Sequence, residues 1–364
     1  MTAKPIFASI QILRAIAALL VVIFHLRIVE GKNASGEPLL PQWFDFGDGG
    51  VDLFFVISGF VMITITAGCY QSPAGAGRFL AKRAWRILPP YWFYTTLAVI
   101  LMAVVPAMVN SSFPNQGIIA SYLLWPQAVV PVLAVGWTLI HEAYFYLVMA
   151  VIIATLPQRW LPGFLALWAI LVGVIYTQAA TPAPWLALIS SPMTWEFIAG
   201  AFIGLYWRRL PSWTGVPLLI AGTVIFILGM LALDQIGLKH HKDFYRVPVF
   251  GTASVLMVLG AVVWEAFRQV RFPLWLLAIG NSSFSLYLSH VFVISAVGRV
   301  WAKTGWTDSM LGHTVFIIIA VIASVFIGLL SYRYLEKPLL AAQNKVLRRK
   351  SAAAKLGQVE RINS

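Results

Sequence analysis

Ten long apolar runs partition the chain, at 9–28, 51–67, 87–108, 135–156, 160–177, 187–206, 214–233, 247–264, 274–298 and 313–332. Each is close to the ~20 residues that an α-helix needs to cross the hydrocarbon core of a bilayer. Water is absent there, so every backbone N–H and C=O must be satisfied within the segment, which leaves the helix as the solution for a single run. The pattern predicts an all-α, polytopic integral membrane bundle of about ten transmembrane helices. A further stretch, 118–131, is apolar but short and interrupted by Pro126, and reads as an interfacial or re-entrant piece. Composition points the same way. The chain is 60% hydrophobic and 11% charged, against about 45–50% and about 25% in soluble domains.

The formal net charge is +13, but the cations are not spread as in a nucleic-acid-binding surface, and no nucleic-acid-binding fold signature accompanies them. They gather in short connections and in the C-terminal tail. With the N-terminus placed inside, 17 Lys and Arg fall on the inner side and 7 on the outer side, with Arg14 and Arg333 inside helices. This bias predicts cytoplasmic N- and C-termini and an even number of spans in a cell inner membrane. Counting 118–131 as a full span would move Arg208, Arg209 and the basic tail outside. The first run carries Arg14 and lacks a small-residue cleavage site, so it is expected to stay as a helix rather than be removed as a signal peptide. Cys69 is the single cysteine, so no intramolecular disulfide forms. The chain divides into a membrane domain, 1–338, and a basic cytoplasmic tail, 339–364. No internal repeat is visible.

Ionisable groups within apolar runs are expensive and tend to mark function. Here they are Arg14, His25, Asp52, Glu142, Glu196 and His290. Arg14 and His25 are eleven residues apart on the first helix. At about 100° per residue they share one face, with a rise of about 16 Å between them. Taken singly, Arg14 reads as a side chain snorkelling to the inner headgroups and His25 as an interfacial residue. Taken together, the acidic residues and the two histidines fall in the outer half or the middle of the bilayer on several helices, which suggests one shared polar cavity. A structural polar network and a transport pathway are the other readings of that placement. Arg78, Lys82, Arg83 and Arg86 precede the third run. They satisfy simple positive-inside topology, and they also suit a phosphate clamp, since Arg forks match phosphate oxygens and Arg83 and Arg86 would face one way on a helix.

Several stretches carry a family resemblance: SIQILRAIAALLVVIFHL, GGVDLFFVISGFVM, RFLAKRAWRILPPYW, GWTLIHEAYFYL, NSSFSLYLSH and a closing RYLEKPL. In this order they resemble the acyltransferase 3 family of membrane proteins, and within it the bacterial exopolysaccharide O-acetyltransferases, over about residues 9 to 338. The resemblance implies ten core helices and transfer of an acyl group, usually acetyl from acetyl-coenzyme A, to a hydroxyl of a surface or exported glycan. Arg14 and His25 match the Arg and His of the family's first helix. Arg83 and Arg86 match its Arg-x-x-Arg. Glu142 matches the acidic residue of its Trp-Ser-Leu-containing stretch, in which Thr138 replaces Ser here. The C-terminal hydrolase-like domain of some members is not expected.

Transfer from a thioester to an alcohol requires deprotonation of the alcohol, stabilisation of the oxyanion and departure of the thiolate. His25 is the expected general base, with Asp52 or Glu142 orienting it. Arg83, Arg86 and Arg14 are expected to hold the coenzyme A phosphates. Tyr287 and His290, one turn apart, and Trp137 are expected on the acceptor side. Direct transfer is favoured, with Ser58 left open as a nucleophile; its other role is that of a small residue for helix packing. No bound metal or permanent cofactor is expected, and homo-oligomerisation stays open. A saccharide or lipid-linked saccharide transporter is the alternative function, and a non-catalytic membrane partner in a biosynthetic complex is a third.

Overall fold

The structure is a computed structural model that describes residues 7–104, 117–178, 183–236, 246–268, 270–343 and 345–346. Ten helical segments among these are long and apolar enough to cross a membrane. Their helices are α1 (Ala8–Asn33), α2 (Gly50–Thr66), α3 (Pro73–Val104), α4 (Trp137–Thr155) and α5 (Leu161–Gln178). Then follow α6 (Met193–Tyr206), α7 (Gly215–Gln235), α8 (Thr252–Phe267), α9 (Ser283–Ala302) and α10 (Met310–Ser331). No strand occurs among the described residues. Most of the tail, 344 and 347–364, and residues 105–108 of the third expected span lie outside the described residues.

Several boundaries differ from the sequence expectation, each for a local reason. The expected span 274–298 is two helices, Leu274–Asn281 and α9. The Ser282 hydroxyl turns back to the Ile279 carbonyl at 3.1 Å, a local bond that competes with helix continuation. The expected span 187–206 is likewise Pro184–Ile189 followed by α6, with Ser190, Ser191 and Pro192 between them. The third helix begins fourteen residues before the expected 87, at Pro73, so Arg78, Lys82, Arg83 and Arg86 are helical rather than in a loop. The stretch 118–131 forms only the short helix Ile118–Tyr122 and then irregular chain. Its backbone is tied to α3 by Tyr91 and Trp92, which donate to the Ser121 and Tyr122 carbonyls at 2.9 Å each.

The helix α1 is central and packs on α2, α8, α9, α10 and the short helix Leu274–Asn281. Small side chains allow this: Ala15, Ala17 and Ala18 are buried along it. Its first turn would leave N–H groups without partners. Glu265, near the end of α8, accepts from the Ala8 and Ser9 amides at 2.8 and 2.7 Å. Beyond His25, the buried Glu30 accepts from His313 of α10 at 2.6 Å and from the Leu39 amide at 2.8 Å, which folds the α1–α2 connection back onto the bundle.

The pair α2 and α6 meets backbone to backbone. A Cβ on Gly59 would lie 2.0 Å from the Phe197 carbonyl oxygen, and one on Gly200 2.0 Å from that of Val56. Close approach through small residues is how membrane helices gain packing where the hydrophobic effect offers no preference between lipid and protein.

Arg246 lies just before a π-helical turn, Val247–Gly251, that leads into α8. It is 6% exposed and grips two carboxylates of the α2 end. Its Nε donates to Asp52 at 2.9 Å and its Nη2 at 2.6 Å. Its Nη1 donates to the Asp48 carboxylate, and its Nη2 to the Asp48 carbonyl at 2.7 Å. Asp52 is fully buried.

Two outcomes test this packing by thermal unfolding in detergent. Gly59→Leu forces α2 from α6 and lowers the unfolding temperature, by the equivalent of about 1–3 kcal/mol or more. Arg246→Ala leaves two carboxylates buried without their cation and destabilises by about 3–5 kcal/mol. A wild-type unfolding temperature in either variant contradicts the contact concerned.

Candidate active site

Five helices wall one cavity of about 130 Å³, an order of magnitude more than a single water needs. The contributing helices are α1, α2, α3, α4 and α9. One end is basic. Arg14 enters from α1, and Arg83 and Arg86 enter from α3. The two expectations for the basic cluster divide between its members: Arg83 and Arg86 line the cavity, while Arg78 and Lys82 are exposed. The Arg83 guanidinium lies over the Tyr146 ring at 5.5 Å and the Phe79 ring at 5.7 Å, a cation–π cradle that fixes its direction.

Glu142 faces these cations from α4. The Tyr146 hydroxyl, one turn on, donates to its carboxylate, and the Ser58 hydroxyl approaches it at 3.5 Å. Arg14 feels the charges of Glu142 and of the buried Glu336, which accepts from Ser285 at 2.6 Å. One carboxylate and three guanidiniums on a single cavity leave a net positive surface at that end, suited to a polyanion.

The far end is neutral and lined by aromatic side chains. The Tyr287 hydroxyl is 2.9 Å from the Val135 carbonyl, to which it donates, and 2.8 Å from the Thr138 hydroxyl. Its ring meets Phe54 edge-on at 6.2 Å. Val51 marks the cavity's level along α1, because the neighbouring Gly50 abuts Ala17 and Val21. His25 stands one turn past Val21, so it lies just beyond this end and is not among the lining residues.

His25 points at α9 rather than at lipid. Its Nδ1 is 3.2 Å from Nε2 of His290 and 3.0 Å from the Val21 carbonyl. His290 is fully buried, and its Nδ1 is 3.1 Å from the Leu286 carbonyl. The same helix α9 therefore meets Arg14 across the cavity and His25 beyond it, as the shared face of the two residues requires.

Two expected placements change. The carboxylates expected beside His25 are bonded elsewhere, Asp52 to Arg246 and Glu142 to Tyr146 and Ser58. Burial explains the first, since a buried carboxylate and a buried guanidinium find each other before either finds a neutral ring. Of the three acceptor-side residues, Tyr287 lines the cavity, whereas His290 and Trp137 do not. Trp137 packs edge-on to His141 at 5.6 Å. The sequence reading passed over Arg246, Tyr146 and Glu336. Tyr146 carried a signal, four residues after Glu142 on one helical face. Glu336 stands in RYLEKPL, next to the basic tail, where nothing local marks it as buried.

Comparison with known proteins identifies the family. The acyltransferase 3 family model, described as an acyltransferase domain, matches residues 7–333. The exopolysaccharide production protein ExoZ of Rhizobium meliloti (strain 1021) is 33% identical over 309 residues, covering 82% of this chain and 90% of that protein. A putative O-acetyltransferase of Staphylococcus aureus (strain COL), SACOL0978, is 25% identical over 90% of this chain. The O-acetyltransferase OatA of Staphylococcus aureus (strain NCTC 8325 / PS 47) is 22% identical over the same share. The match spans 56% of the length of each staphylococcal protein. No solved structure matches the chain. With its ten apolar helices, its charged cavity and a family match across nearly its whole length, the chain belongs to the acyltransferase 3 family and is a multi-pass membrane acyltransferase.

Proposed function

We propose that this protein is an O-acyltransferase of the cell inner membrane that moves an acyl group, acetyl in the first instance, from acyl-coenzyme A to a hydroxyl of an exported or surface glycan. The observation that carries the reading is the disposition of α1. It delivers Arg14 to a cavity end that also holds Arg83 and Arg86, and it delivers His25 to a partner imidazole just past the other end. Both termini are cytoplasmic in this reading, which puts the basic end on the side where coenzyme A is made. Relatives named as O-acetyltransferases and as an exopolysaccharide production protein support the chemistry and the class of acceptor.

The geometry supports one course of reaction. Arg83, Arg86 and Arg14 bind the phosphates of the donor, and the pantetheine arm runs along the cavity. The rise from Arg14 to His25 is about 16 Å, comparable to such an arm when extended. His25, half-buried, meets the acceptor from the opposite side. Its imidazole takes the hydroxyl proton as the oxygen attacks the thioester carbonyl. The C–O bond forms, the tetrahedral adduct collapses, the C–S bond breaks, and the proton passes from His25 to the departing thiolate. Glu142 acts at the donor end: it holds Tyr146, whose ring carries Arg83, and so sets the spacing of the cations. Asp52 acts through structure, fixing the α2 terminus through Arg246.

Two measurements test the reading. At matched membrane expression, His25→Ala lowers the O-acetyl content of the host's exported glycan, the rate of transfer falling about 10²–10⁴-fold as for loss of a general base; unchanged acetylation overturns the assignment. In membrane vesicles supplied with extracted host glycan, Arg83→Ala and Arg86→Ala each raise the KM for acetyl-coenzyme A about tenfold to a hundredfold, the span expected for a charge-assisted hydrogen bond. Arg78→Ala, outside the cavity, leaves it unchanged. Equal effects at all three positions remove the phosphate-binding role.

A further inference from the structure

We infer that His290 is a positioning residue that sets the tautomer of His25, so that the third member of the catalytic relay is a neutral imidazole in place of a carboxylate. The inference rests on the transfer reaction proposed above, but the hydrogen-bond logic stands apart from it.

The protons can be assigned from what each partner is able to do. A carbonyl oxygen only accepts. Nδ1 of His290 lies 3.1 Å from the Leu286 carbonyl, so Nδ1 carries the proton. The His290 ring is fully buried, and a buried imidazole without an anionic partner is neutral. Its Nε2 is therefore a lone pair. That lone pair faces Nδ1 of His25 at 3.2 Å. His25 Nδ1 also lies 3.0 Å from the Val21 carbonyl. Both neighbours accept, so Nδ1 of His25 carries a proton shared between them. The remaining nitrogen, Nε2, is left bare, in the state that a general base requires.

The alternative assignment fails on the same contacts. A proton on His290 Nε2 would require His25 Nδ1 to accept, and His25 would then face the Val21 carbonyl with no proton between two acceptors. Both rings are anchored to the i−4 carbonyl of their own helix, so the direction of the chain from Leu286 through His290 to His25 is fixed by backbone rather than by flexible side chains. Packing holds the rings in place. Phe24 meets the His25 ring edge-on at 4.8 Å, and the hydrogen-bonded Tyr287 lies 6.0 Å from the His290 ring. When His25 Nε2 takes a proton, the bond from Nδ1 to His290 becomes charge-assisted and stabilises the imidazolium. The carboxylates of Asp52 and Glu142 are bound to other partners and are not needed for this step.

The test reads tautomer and rate separately. Nitrogen NMR of ¹⁵N-histidine-labelled protein in lipid nanodiscs, with His25→Gln used to assign the signal, is expected to show His25 protonated at Nδ1 and bare at Nε2. In His290→Leu the His25 signal becomes a mixture of tautomers. Transfer falls by about tenfold or more in kcat, as when the group that holds a catalytic histidine is lost, while the KM for acetyl-coenzyme A stays at its wild-type value. His290→Gln, which restores an accepting oxygen, recovers part of the rate. A wild-type His25 protonated at Nε2 overturns the inference without any activity measurement, even where His290→Leu fails to fold. So does a His290→Leu enzyme with wild-type kcat, or one whose donor KM rises while the His25 tautomer is unchanged. Retained transfer in His25→Ala overturns the proposed reaction and leaves the tautomer assignment standing.

Discussion

An ionisable side chain placed in a membrane helix costs about 2.5–3.5 kcal/mol even on the mildest scale, and this bundle meets that cost in two distinct ways. Some groups are bonded to partners. Asp48 and Asp52 are bound by Arg246, and Glu30 by His313. Others face a cavity, where water or a ligand can solvate them, as Arg14, Arg83 and Arg86 do. The division separates framework from site. Bonded groups lock helix ends and connections, and the cations that face the cavity form its basic end. The position of α1 at the centre of the bundle follows, since it alone carries both a cavity cation and the imidazole beyond it.

Donor and acceptor of the proposed reaction differ in where they can be. Coenzyme A is a polyanion that does not cross hydrocarbon, and a polymer already exported does not return. A helix about 39 Å long, at 1.5 Å for each of the 26 residues of α1, can present a phosphate site at one end and a base at the other. Phe54 and Tyr287 line the cavity on the side toward His25, where thioester and hydroxyl would meet.

Much of this was legible in the sequence. The number and type of helices followed from length and apolarity alone, because the bilayer admits so few alternatives. The common face of Arg14 and His25 followed from helical periodicity, and the pairing of Arg83 with Arg86 from their spacing. What the sequence did not show was partnership across the bundle. Asp52 looked available to His25 because both belong to neighbouring helices at similar depth. Its actual partner, Arg246, stands at the edge of a polar connection and reads there as one more loop cation. His290 read as a wall of the acceptor site, and only the folded chain shows it 3.2 Å from the His25 ring. Helix breaks at Ser190–Pro192 and Ser282 were hidden by apolar flanks, since hydropathy averages over the few polar residues that turn the chain.

The claim most in need of trial is that donor and acceptor reach His25 from opposite faces of the membrane. Sealed vesicles of known orientation, carrying the protein and host glycan, would be given labelled acetyl-coenzyme A on one face only. The account predicts label in the glycan when the donor contacts the Arg83–Arg86 end and the glycan lies on the His25 side, and none with the arrangement reversed. Equal labelling in both orientations would contradict it.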